Sequence, residues 1–130
     1  MSILFAKIDN APAVHSNQFV DIPKLTFELP KASATQRHAL IILNVPMPYA
    51  EGAEVPGLNF GIEVGETVVA EGGFTYSTTK PEAFGRMPFT LVVRVELDAN
   101  HTQEVTAQWK SVRESTGHID SFASLSAVLG

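Results

Sequence analysis

Positions 68 to 92 read VVAEGGFTYSTTKPEAFGRMPFTLV, which puts Thr75, Tyr76, Glu82, Phe84 and Arg86 on one connection between two apolar strands. Aromatic rings pack against the C–H faces of sugars, and planar arginine and carboxylate groups form paired hydrogen bonds with vicinal hydroxyls. Tyr49, Arg113 and Asp120, at or near other predicted strand ends, extend the same inventory. It contains neither a nucleophile with its base nor a metal cluster, so it suits holding a polyhydroxylated ligand better than transforming one. Two plainer readings stay open. Arg86 and Arg113 would serve equally as structural cations for Glu82, Glu114 or Asp120, and Tyr49 and Tyr76 as core rings with surface hydroxyls.

The elements that must position these groups read as strands. Period-two or continuous apolar runs recur along the chain, with almost no sustained helical period. The clearest run is 88 to 98, where Phe89, Leu91, Val93, Val95 and Leu97 share one face and Thr90, Arg94 and Glu96 the other. Residues 40 to 45 are apolar almost throughout, as a strand buried on both sides would be, and Val105, Ala107 and Trp109 alternate with polar neighbours. Further strands are expected at 3 to 8, 25 to 29, 58 to 64 and 66 to 76. Segment 119 to 129 fits a helical face or a strand, and its neighbours favour the strand. Turns are expected at 9–10, 30–31, 46–52, 56–57, 72–73, 80–81, 98–100 and 115–117. The spacing predicts an all-β chain, a two-sheet sandwich or jelly roll.

With 130 residues, one core and a single domain over 1–130 are expected. Hydrophobic residues make up 45% and charged residues 18%, globular usage with charge low enough to imply that partners cover part of the surface. A net charge of -5 leaves no basic footprint for phosphate backbones, so nucleic acid is not an expected partner. The absence of cysteine rules out disulfides and thiolate chemistry. The N-terminus carries no basic residue before its short apolar stretch, and no apolar run approaches the ~20 residues of a membrane span. The expectation is a soluble protein without a signal peptide or membrane insertion, either cytoplasmic or exported by a non-Sec route to the cell surface or exterior.

Enzyme patterns are weak. His15, His38, His101 and His118 lie too far apart for short metal-ligand spacing and read as surface histidines. His118 and Asp120 with a serine would spell a triad, but no Gly-x-Ser-x-Gly turn presents a nucleophile. Glu66, Glu71, Glu82 and Asp120 could supply the carboxylate pair of a glycoside hydrolase, though acidic loop residues are usually only solvated. Asn100-His101-Thr102 matches a glycosylation acceptor and, without a secretory signal, carries no weight. No enzyme, cofactor or metal is expected.

Several blocks in order, ILNVPMPYA at 42–50, VVAEGGFTY at 68–76, GRMPFTLV at 85–92, QWKSVR at 108–113 and HIDSFASLSA at 118–127, resemble the N-terminal domain family of the Burkholderia superlectin. NQFVDIP at 17–23 extends the similarity back to about residue 11. The resemblance implies a TNF-like jelly-roll β-sandwich forming a homotrimer, with metal-independent sites between protomers for fucosylated glycans such as H-type oligosaccharides. It places fucose contacts at Tyr49, Thr75, Tyr76, Arg86 and Arg113, and lines the neighbouring sugar region with Glu82, His118, Asp120 and Ser121. The chain departs from the family at Asn59, where a tyrosine touches the sugar, and at Ala83-Phe84, where a serine-threonine pair stands. Those changes remove up to three hydroxyls worth about 1 kcal/mol each when paired, while the Phe84 ring would suit the fucose methyl group. The alternative is a trimeric structural or protein-binding module with lost or altered sugar specificity.

Overall fold

The alternating segments become strands in the computed structural model, which describes residues 2–52, 54–77 and 85–130. One four-stranded antiparallel sheet runs β1 (Ser2–Ile8), β11 (Ala123–Leu129), β4 (His38–Val45) and β8 (Phe89–Glu96). The second runs β3 (Val20–Leu29), β9 (Gln103–Val112), β6 (Gly57–Val64) and β7 (Thr67–Thr75). A small sheet of β2 (Ala13–Val14), β10 (Thr116–Ile119) and β5 (Pro48–Glu51) closes one end. Each large sheet interleaves early and late strands, as Greek-key wiring does. Between them lies a core that includes Ile41, Leu43, Leu58, Phe60, Ile62, Trp109 and Leu125, all at most 1% exposed. The Phe60 ring stacks on Phe89 at 4.8 Å and on Trp109 at 6.2 Å, bridging the two sheets.

Most of the sequence reading holds, and the exceptions have physical causes. The expected turn at 46–52 contains β5, and that at 115–117 contains the start of β10, because these short strands pair with each other. Gly72 and Gly73 sit inside β7 rather than in a turn. A Cβ on Gly73 would run into the Leu58 carbonyl and the Asn59 side chain, so glycine there permits close strand approach. Segment 119–129 is a strand from Ala123, broken before it by Ser121 in a left-handed conformation (φ 77°). The expected strand at 25–29 begins earlier, at Val20, because its register slips between Asp21 and Thr26 with Lys24 at φ 69°.

The correction with most consequence concerns 40–45. Ile41, Leu43 and Val45 are buried, but Leu40 is 41% exposed, so only one face of this strand is covered. Cross-strand register sets Ile3, Val128, Leu40 and Arg94 in one outward row and Phe5, Ser126, Ile42 and Val92 in the next. Ile3, Phe5 and Val92 are 64%, 58% and 51% exposed, which makes the outer side of the first sheet an apolar face.

Candidate functional site

The small end sheet positions the first group of candidate residues. Tyr49 on β5 lies directly opposite His118 on β10, and this cross-strand pair stacks its rings at 4.6 Å and 13°. The Arg86 guanidinium covers the Tyr49 ring at 3.9 Å, a cation–π contact. Arg86 also donates to Asp120 Oδ2 from Nε at 3.1 Å and Nη2 at 2.8 Å, and this bond pushes its pKa above the ordinary arginine value. At the far end of the stack, His118 Nε2 meets Glu51 Oε1 at 3.2 Å.

Backbone bonds hold the cluster together. The Met87 amide donates to the Pro48 carbonyl at 3.0 Å, and the Asp120 amide to the Met47 carbonyl at 3.0 Å. Tyr76 enters from the end of β7, donating its hydroxyl to the Gly85 carbonyl at 2.8 Å. Burial pushes its pKa up, partly offset by a hydrogen bond from the Ala50 backbone and by the Arg86 charge. Its ring packs edge-on to Phe74 at 5.8 Å. Tyr49, Tyr76, Arg86, His118 and Asp120 thus form one site at the end of the sandwich, with exposed Ser121 beside it.

Thr75 and Asn59 do not join that group. Strand alternation sends Thr75 to the side of β7 opposite Tyr76. A Cβ on Gly57 would meet Thr75 Cγ2 at 2.6 Å, and Asn59 lies two residues along β6 from Gly57, so Asn59 and Thr75 share the outer face of the second sheet. Arg113 occupies the turn after β9, where its Nε donates to the Val55 carbonyl at 2.9 Å. The Ser115 amide closes this turn onto the Val112 carbonyl at 3.1 Å, with φ 52° at Arg113 and 61° at Glu114. Primed turns favour Asn-Gly at such positions, so Arg-Glu holds a strained backbone there. Glu82, Ala83 and Phe84 lie outside the described residues.

Glu51 escaped sequence reading because its strand looked like a turn. The signal was present in PYAE, where Tyr49 and Glu51 alternate onto one side. The triad and hydrolase readings gain nothing, since His118 bonds Glu51 while Asp120 bonds Arg86. Among the described residues, no group of three His, Cys, Asp or Glu side chains is placed to hold a metal. Among the described residues, no helix is long and apolar enough to cross a membrane.

The chain is an all-β sandwich with a polar, aromatic rim at one end. The chain belongs to the Bc2l-C N-terminal domain family, matching its model over residues 8–128. This is a lectin-domain family. No curated protein matches the chain significantly. Among solved structures, the insecticidal delta-endotoxin Cry8Ea1 from Bacillus thuringiensis is 14% identical with a TM-score of 0.43, over 93% of this chain and 20% of the toxin, too remote to support any argument.

Proposed function

We propose that this chain is a metal-independent lectin for fucosylated oligosaccharides, H-type determinants among them, whose sites are completed between protomers of a TNF-like homotrimer. The observation that carries this reading is the division of the candidate residues. Tyr49, Arg86, His118 and Asp120 gather at the sandwich end, while Asn59 and Thr75 occupy the outer face of the second sheet. A seam with a second copy is a simple way to bring two such groups to one sugar. The apolar face of the first sheet supplies a driving force for that seam, and its lower rows lead through Asn44 and Thr90 toward Arg86. In this reading the Tyr49 rim offers hydroxyl and ring contacts, Arg86 and Arg113 donate to sugar oxygens, and Glu82, Ala83, Phe84 and Ser121 border the neighbouring sugar.

Three weak sites on one rigid body gain avidity on a glycan-coated surface through effective concentration alone. Calorimetric titration with fucose and an H-type oligosaccharide should give one site per chain, unaffected by chelator. Sedimentation should show a particle of three times the 14.0 kDa chain mass. A monomer in dilute buffer, or a glycan array with no coherent set of related sugars, would overturn the reading.

A further inference from the structure

The end sheet contains a relay of contacts in which each side chain is held by the next. Asp120 grips Arg86, Arg86 and His118 both lie over the Tyr49 ring, and Glu51 bonds Nε2 of His118. We infer that Glu51 is a positioning residue for glycan binding, holding His118 flat against Tyr49 so that this ring is fixed before the sugar arrives. The inference rests on the lectin reading above.

Register supports it. Tyr49 and Glu51 stand two residues apart on β5 and so face the same side, with His118 directly opposite Tyr49 and Thr116 opposite Glu51. The Glu51 carboxylate therefore reaches His118 diagonally across the strands. The His118 side chain is 24% exposed and that of Glu51 is 43% exposed, so the carboxylate stands on the surface and need not be kept for burial. An imidazole turns readily about its terminal torsion, and a bond at Nε2 removes that freedom. Without it, Tyr49 keeps Arg86 but loses a fixed stacking ring, and binding must then order both rings.

Glycan affinity in a set of variants tests this, with thermal unfolding as a check on the fold. Glu51→Ala should weaken binding about three- to tenfold, the cost of ordering one or two side chains. Glu51→Gln keeps an acceptor for the imidazole N–H and should restore affinity to within about twofold. Glu51→Asp keeps the charge but is a methylene too short, so it should bind weakly, and it serves if Glu51→Ala fails to fold. In a His118→Phe background, which retains a stacking ring but has no nitrogen to bond, Glu51→Ala should produce no further loss. Wild-type affinity in Glu51→Ala or Glu51→Asp would overturn the inference, as would a loss undiminished in the His118→Phe background. If the unaltered protein binds no glycan, the lectin reading falls and the positioning role falls with it.

Discussion

The two large sheets share one core but present opposite chemistry on their outer sides. On the second sheet, Gln108 Nε2 donates to Asp21 Oδ1 at 3.0 Å, Thr26 Oγ1 donates to the Val105 carbonyl at 2.8 Å, and Lys110 Nζ lies 4.6 Å from the centre of the Phe19 ring. Among the described residues, no buried side-chain nitrogen or oxygen lacks a partner. The first sheet instead exposes Ile3, Phe5, Leu40 and Val92. The second sheet exposes fewer large apolar side chains, Val20 at 41% and Val68 at 39%, so the first is the stronger reason to associate. The candidate residues divide too, with Tyr49, Arg86, His118 and Asp120 at the end of the sandwich and Asn59 with Thr75 on the outer side of the second sheet.

Breaking the apolar face should have the largest effect. Leu40→Asp combined with Val92→Asp replaces two side chains that would each contribute roughly 1.5–3 kcal/mol on burial between copies. Sedimentation should then report monomer, with the chain still folded because both side chains point away from its core. Thr26→Ala, on the second sheet, should leave the particle mass unchanged. A fully associated double-aspartate variant would remove this face from the proposed seam.

Next in size are changes at the site itself. Tyr49→Ala and Arg86→Ala should each weaken glycan binding on the order of tenfold or more while leaving the particle mass intact. Unchanged affinity in both would mean that the pocket is misplaced. Arg113→Gly separates function from fold more sharply. Glycine relieves the left-handed turn, so thermal stability should hold or rise, by up to about 1 kcal/mol, while affinity falls. A stable variant with full affinity would leave Arg113 without a role in binding. The second sheet offers a gain instead. Asn59→Tyr restores the ring that the family carries, and Gly73 directly across leaves space for it. Calorimetry should show several-fold tighter fucose binding, and a weaker variant would argue for a different sugar.

Sequence periodicity carried most of this fold. The strict alternation from Phe89 to Leu97 and the run ending in Trp109 were readable because each buries one face. PYAE and TGHI were not, since four residues give too little pattern and flanking proline and glycine look like turns. The exposed face of Leu40 was read as buried because composition cannot say whether an apolar side meets its own core or another copy. At the site, residue type pointed to Tyr49, Tyr76, Arg86 and Asp120, and Asp120 was among the ion-pair partners open to Arg86, but the role of Glu51 depends on register between strands distant in sequence. Thr75 and Tyr76 are neighbours in the chain yet face opposite sides, a division implicit in the strand expected over 66 to 76.

The smallest expected effect concerns the tie between the two sheet edges. Tyr76, at the end of β7, donates its hydroxyl to the Gly85 carbonyl just ahead of β8. Burial raises its pKa first, with Tyr49 adding to the rise and the Ala50 backbone bond and Arg86 opposing it. A group whose folded-state pKa lies above its unfolded value contributes stability fully below the unfolded value, about 10 for tyrosine, and loses it as pH rises through the folded one. Tyr76 should therefore titrate later than an ordinary phenol, and stability should decline in that alkaline window because a phenolate cannot donate to Gly85. Ultraviolet titration of wild type against Tyr76→Phe isolates this residue, as the protein has only two tyrosines. If a late-titrating phenol persists in Tyr76→Phe, the raised pKa does not belong to Tyr76, and the tie between the sheet edges leaves no mark on its titration.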